Sequence, residues 1–259
     1  MGVTVLLNNE NAPPKRLAVA RIELDAQSPF VTLGDTGEGL LYALTGKCTV
    51  YADGMCIGTL GGRQKIEERD VQCIRFKAQP VITVGVVGHA ADLLWVTCAG
   101  ESTGWHGASY HVQREDVVVW HDVGSGTHQR VVAEVPTPQG YEIHCGETHN
   151  QVGGISSFPA HATQEDIARF SNGETTWEEV MFFECAKPGI ANLKGVYTDG
   201  KIVNKLVEVF NGSAHALCLG SHAIYAAPDA TIEYQWFYIG NALTKSYNAK
   251  ATDLKTYVK

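Results

Sequence analysis

An imidazole and a carboxylate stand out in this chain by their position: His161 in Gly154-Ile-Ser-Ser-Phe-Pro-Ala-His-Ala-Thr-Gln164, and Glu179 in Trp177-Glu-Glu-Val-Met-Phe-Phe183. These are side-chain types that hold divalent metals and move protons. On a strand, side chains two apart share a face, so His161 and Thr163 project together, and Glu179 shares a face with Trp177, Met181 and Phe183. A carboxylate among apolar neighbours needs a partner. A metal or other cation is one; a hydrogen bond inside a core or at an oligomer interface is the other.

The elements that must position these groups read as strands. LAVARIEL (Leu17–Leu24) alternates, after a polar arm containing Pro13-Pro14. Gly39–Gly46 and Lys47–Tyr51 lead into Ala52-Asp-Gly54, a hairpin signal, with Met55–Ile57 beyond it. Strand patterns follow at Val71–Phe76, Val81–Val87, Leu93–Cys98, Val117–Trp120 and Val131–Val135, then at Val180–Glu184, Leu193–Tyr197, Lys205–Val209, Ala214–Leu219 and Ile232–Ile239. In the last of these, Ile232, Tyr234, Trp236 and Tyr238 alternate with Thr231, Glu233 and Gln235, the pattern of a half-buried antiparallel strand. Thr163–Phe170 is the one clear helix pattern. Short, evenly spaced strands broken by Gly, Pro and Asp predict an all-β sandwich or jelly roll.

With 259 residues there is enough chain for a large core or two smaller ones. A hydrophobic share of 44% and a net charge of −8 without long acidic runs describe a solubilising surface. No basic stripe with interleaved aromatics is present, which argues against nucleic acid as a partner. No stretch approaches the roughly 20 apolar residues of a membrane helix, and the first residues lack a signal-peptide layout. The expectation is synthesis in a cytoplasm, with membership of a particle as one setting. Seven scattered cysteines without a CxxC pair predict free thiols.

The two halves show a weak repeat. Cys73–Val81 followed by Asp92-Leu-Leu-Trp-Val96 parallels Ala216–Ile224 followed by Glu233-Tyr-Gln-Trp-Phe237, with Gln79 standing where His222 stands. Other chemistry-bearing groups read blandly. His144-Cys-Gly-Glu-Thr-His149 is expected in a surface or connector segment. Gly34–Gly39 and Gly61-Gly62 lack the context of phosphate loops, and Gly104-Trp-His-Gly107 offers no nucleophile with a matched base. The aromatic stripe Tyr234, Trp236, Tyr238 reads as core, although it could stack on a sugar. Arg63 and Arg130 are candidates for anion binding or for structural ion pairs.

Several segments together carry a family resemblance. They are Ile57-Gly-Thr-Leu-Gly-Gly-Arg63, Gly126-Thr-His-Gln-Arg-Val-Val132, Ser156-Ser-Phe-Pro-Ala-His161, Glu178-Glu-Val-Met-Phe-Phe183, Val196-Tyr-Thr-Asp-Gly200 and Gly220-Ser-His-Ala-Ile-Tyr-Ala-Ala-Pro228. In this order the chain resembles the 5-deoxy-glucuronate isomerases of inositol catabolism, kin of the 5-keto-4-deoxyuronate isomerases. The resemblance implies an all-β double cupin, two jelly-roll barrels with few short helices. It divides the chain into an N-terminal cupin-like domain with its arm (1–125), a C-terminal cupin with the metal-site motif (126–245) and a C-terminal arm (246–259). A cupin barrel carries two histidines on one strand, a carboxylate soon after and a late histidine, so the implied ligands are His161, Glu179 and His222.

Departures fall at the site. The family's His-x-His pair is His161-Ala-Thr163 here, so a hydroxyl replaces the expected fourth ligand, and its Pro-Pro before that pair is Pro159-Ala160. Its Trp before the two serines is Ile155. The family's Gln-Arg before Val-Tyr-Thr is Lys194-Gly195, which removes an arginine suited to gripping a carboxylate. Lys194, Tyr197 and Arg130 are the substrate-binding candidates that remain.

Two functions follow. One is a non-catalytic structural, decoration or binding subunit of a larger assembly, a virion surface being one setting, with a degenerate site that holds no metal or binds Zn or Mn weakly. The other is a metal-dependent aldose–ketose isomerase, an intramolecular oxidoreductase acting on 5-deoxy-glucuronate or a related uronate. The departures favour the first. The partners expected are other copies of the chain or a larger protein assembly that orders both terminal arms, with a carbohydrate as the candidate ligand.

Overall fold

The computed structural model describes residues 2–8, 16–33, 37–61, 71–77, 81–99, 110–123, 129–138, 141–162, 177–196, 202–216 and 221–240. Strands dominate them, and among the described residues the only helix is a 3-10 turn at Arg114–Asp116. The helix expected over Thr163–Phe170 and the arm at 246–259 lie outside the described residues.

The chain forms two compact units. One comprises Met1–Val119 with Ala133–Gly146, the other Trp120–Val132 with Glu147–Lys259. By contact the chain passes between these units at 119/120, 132/133 and 146/147.

The first unit is built on two long strands, β4 (Glu38–Ala52) and β7 (Ile82–Cys98), which pair with each other along most of their lengths. The sequence pattern suggested two strands in each. Each is continuous because an extra residue at Leu44 bends β4, and extra residues between Val86 and Ala91 bend β7, without ending either strand. Around this pair lie β1 (Val3–Leu7), β2 (Leu17–Asp25), β3 (Phe30–Leu33), β5 (Met55–Gly61), β6 (Cys73–Lys77) and β8 (Tyr110–His111). The sheet runs β1-β2-β7-β4-β6-β8, with β3 on β7 and β5 on β4. The β4–β5 turn uses Asp53 and Gly54 at φ 49° and 77°, the left-handed pair that a tight hairpin demands. Inside, Leu41, Val50, Ile74, Val84, Leu93 and Trp95 belong to one buried cluster. Arg75 is fully buried and donates to the carbonyls of Ile143 and Pro136, while Glu38 accepts the backbone N–H groups of Glu142 and Ile143.

The remaining strands are β9 (Val118–Val123), β10 (Gln129–Val135), β11 (His144–Asn150), β12 (Ile155–Ala162), β13 (Trp177–Cys185), β14 (Gly189–Val196), β15 (Ile202–Val209), β16 (Ala214–Ala216), β17 (Ser221–Tyr225) and β18 (Ile232–Gly240). They form a six-stranded sheet, β16-β13-β18-β11-β10-β9, and a four-stranded one, β12-β17-β14-β15. The core of the second unit includes Met181, Phe183, Ile224, Tyr234, Trp236 and Tyr238. β18 is buried on both faces, since Gln235 and Phe237 are as inaccessible as Tyr234; the sequence pattern had suggested a strand with one wet face. Gln235 tolerates this position by donating to Glu184 at 2.8 Å.

The segment His144–His149, expected in a surface or connector role, lies within the buried strand β11. Glu147, Thr148 and Asn150 are all at most 3% exposed. Asn150 donates to the Ile224 carbonyl at 3.3 Å, and His149 faces Glu233 at 3.2 Å. Cys48, Cys73, Cys98 and Cys145 are buried free thiols, Cys185 is half-buried, Cys56 is exposed and Cys218 lies outside the described residues. Burial pushes the Cys48 and Cys98 thiols up to about 12, which keeps them protonated and unreactive at neutral pH.

Candidate metal centre

Glu179 sits on β13 in register with Tyr238 of β18, and its neighbours two along, Met181 and Phe183, are buried in the second unit's core. The alternation read from the sequence thus places the carboxylate inside, at 3% exposure. His222 sits on β17 at 0% exposure, held between Leu193 of β14 and His161 of β12. Its Nε2 lies 3.6 Å from Glu179 Oε2. That is longer than a hydrogen bond. It is close to the roughly 3.4 Å that separates two donors each about 2.1 Å from one tetrahedral ion. Imidazole nitrogen with carboxylate oxygen is also a donor set that zinc and manganese accept. The residues present therefore fit a divalent metal.

His161 reaches the register position opposite His222 through an irregularity in β12. Ser156 pairs with Ile224 and His161 with His222, so five residues of β12 span the length of two on β17. Ser157 within this bulge has φ 52°, a left-handed conformation uncommon for a residue other than glycine. Bulges recur beside functional sites because they re-aim a side chain. Ser156, at the start of the irregularity, is pinned by a 2.7 Å hydrogen bond between its hydroxyl and that of Tyr234. Sequence reasoning missed both the bulge and this anchor. The pair Ser156-Ser157 ahead of a Pro was the available signal, because two small hydroxyl residues favour local backbone bonding over a regular ladder.

Among the described residues no group of three or more His, Cys, Asp or Glu stands ready to hold an ion. The structure brings Glu179 and His222 together and places His161 at the opposed backbone position. Thr163 and Tyr197 lie outside the described residues. Lys194 pairs with Ser221 and Asn204, one rung from Leu193–His222. Arg130 lies on β10, three strand positions from β13 in the sheet order, about 14 Å away at the usual interstrand spacing. Trp236 and Tyr238 stack at 5.8 Å and line the interior beside Glu179, as the core reading of that stripe expected.

The first unit repeats this frame without the ligands. Leu41 pairs with Trp95 as Met181 pairs with Trp236, so the repeat read from Asp92–Val96 and Glu233–Phe237 holds in register. The other half of that repeat shifts by two: Cys73, opposite Tyr42, corresponds to Ala214, opposite Phe182, rather than to Ala216. Gln79 lies outside the described residues. Gly39, opposite Thr97, stands where Glu179 stands opposite Tyr238, and a Cβ on Gly39 would meet the Trp95 ring at 2.1 Å. Where β4, β7 and β3 pair in the first unit, the rungs are Val50–Val84–Val31, Tyr51–Thr83–Thr32 and Ala52–Ile82–Leu33, none of which carries a histidine or a carboxylate.

The model of the KduI/IolB family matches residues 2–254. The chain belongs to that family. No curated protein matches it in sequence. Among solved structures, an IolB-like protein from Salmonella typhimurium LT2 superimposes with a TM-score of 0.77 at 19% identity, covering 94% of this chain and 91% of that one. The oxalate decarboxylase of Lactobacillus farciminis, solved with formate, gives a TM-score of 0.61 at 11% identity over 92% and 83%. A Bacillus subtilis oxalate decarboxylase, studied for its Mn(II) centres, gives 0.57 at 10% over 91% and 74%. The fold of this family member is therefore cupin-like and nearly all β. Among the described residues no helix is long and apolar enough to cross a membrane.

Proposed function

We propose that the second unit binds a divalent metal through His161, Glu179 and His222, and that the protein is a metal-dependent aldose–ketose isomerase acting on a uronate of the kind its family resemblance implies. The observation that carries this reading is the 3.6 Å approach of two buried side chains of suitable chemistry, Glu179 and His222. Burying a carboxylate beside an imidazole costs several kcal/mol of lost hydration per charged group, so a pair with no use is readily replaced by apolar residues. In the first unit Gly39, opposite Thr97, stands where Glu179 stands opposite Tyr238, which supports the reading that the second unit's carboxylate is kept for a use.

A bound metal would polarise the substrate's carbonyl and adjacent hydroxyl oxygens. The chain's own residues would do the rest. Glu179 supplies the negative charge that holds a cation inside an apolar barrel. Ser156, through Tyr234, fixes the irregular strand that presents His161. Trp236 and Tyr238, stacked in the core beside Glu179, form an apolar backing to the centre. Lys194, Tyr197 and Arg130 are the proposed substrate-binding residues, as basic or hydroxyl groups suited to a uronate's carboxylate and hydroxyls.

A second reading, a structural or binding subunit that keeps the barrel without turnover, rests on Thr163 at a ligand position and Gly195 at an anchor position. An isomerase assay on 5-deoxy-glucuronate with manganese or zinc separates the two. Turnover lost in Glu179→Gln supports the enzyme. Absence of turnover together with metal binding gained in Thr163→His supports the subunit with a degenerate site.

A further inference from the structure

The first unit contains a cavity of about 440 Å³ at the edge of its core, walled by Val3 and Val5 of β1, by Trp95 and Thr97 of β7, and by Asn8 and Thr32. Val3 and Val5 pair with Ile22 and Ala20, both buried core residues, so the strand register puts them on the inner face of the sheet. Yet they are 44% and 53% exposed. Apolar side chains that face a core without being covered by it leave a concave, water-exposed apolar wall, and a volume of 300–1,000 Å³ is that of a small-molecule site. The wall includes Thr97, the register counterpart of Tyr238 in the second unit, so the cavity opens at the position corresponding to the metal centre. None of the described residues lining it carries a charge.

We propose that this cavity is a second ligand site, metal-independent, for an uncharged and largely apolar ring compound carrying a hydroxyl or carbonyl group. The Trp95 indole and the valines supply the apolar contact. The hydroxyls of Thr32 and Thr97 line the site and can orient the ligand. A uronate does not suit this wall: its carboxylate would lose hydration with no cation to receive it. The site is thereby distinct in chemistry from the centre in the second unit, and it stands whether or not that centre turns over a sugar.

The test is calorimetric titration of the full chain with 2-naphthol, a neutral bicyclic alcohol, and with naphthalene-2-sulfonate as its charged counterpart. One saturable naphthol site per chain is expected, with the sulfonate weaker by at least about tenfold. Val5→Asp places a charge on the wall and Thr32→Trp fills the space; both positions are exposed, so folding should persist. Each should weaken naphthol binding at least about tenfold, whereas Val87→Asp, an exposed position on β7 outside the cavity, should leave it unchanged. No saturable binding, binding unchanged in both wall variants, or equal affinity for the sulfonate would each overturn the proposal.

Discussion

At the scale of single residues, the site depends on how a few polar groups survive inside apolar barrels. Ser156 and Tyr234 share one buried hydrogen bond at 2.7 Å. Ser156→Ala should leave the tyrosine hydroxyl without it and cost about 1–3 kcal/mol by chemical denaturation. The proposed metal binding should weaken as well, because the same bond holds the strand on which His161 lies. His215, packed edge-on against Phe183 at 5.8 Å, has its proton affinity lowered by burial and then by Lys205. The folded protein therefore takes up this proton less readily than the unfolded chain. The stability His215 permits is intact above its ordinary pKa of 6.5 and is lost as pH falls through that value toward the lowered folded one. His215→Gln should flatten the decline in unfolding free energy between about pH 7 and pH 5, a slope read from urea titrations. Of the site residues, Glu179 was legible because its alternation with Trp177, Met181 and Phe183 is a local pattern. The contact with His222 was not, since it depends on where β13 and β17 meet in space.

At the scale of elements, strand periodicity located most of the fold, and its failures have physical causes. β1 escaped notice because five residues, VTVLL, sit in an otherwise polar arm; their partner strand β2, not their own period, makes them a strand. β11 escaped because HCGETHN has no hydrophobic alternation at all. It is held by polar contacts, Asn150 to the Ile224 carbonyl and His149 to Glu233, which hydropathy does not register. β4 and β7 were cut in two because bulges break a period of two without ending a strand. The resemblance to known isomerases supplied the cupin architecture that periodicity alone left as a generic sandwich. Gly39 is the element-scale test of why the first unit has no carboxylate where the second has Glu179. A side chain there must displace the Trp95 ring from the β4–β7 ladder, so Gly39→Ala should destabilise by about 1–3 kcal/mol in denaturant. The matching change beside the metal centre, Glu179→Gln, is nearly isosteric and should cost far less.

At the scale of the whole molecule, the two units repeat one strand frame with different side chains inside it. One copy is closed by Trp95 against Gly39 and keeps an apolar cavity at its edge; the other keeps a carboxylate and an imidazole inside. Membership of the KduI/IolB family extends over 2–254, so both copies belong to the family's body. The most direct measurement is the metal content of wild type and Glu179→Gln after loading with manganese or zinc and removal of excess ion. One ion bound per wild-type chain and almost none per Glu179→Gln chain is the predicted result. An empty wild-type protein, or the same ion content in both, would contradict the metal centre at Glu179 and His222.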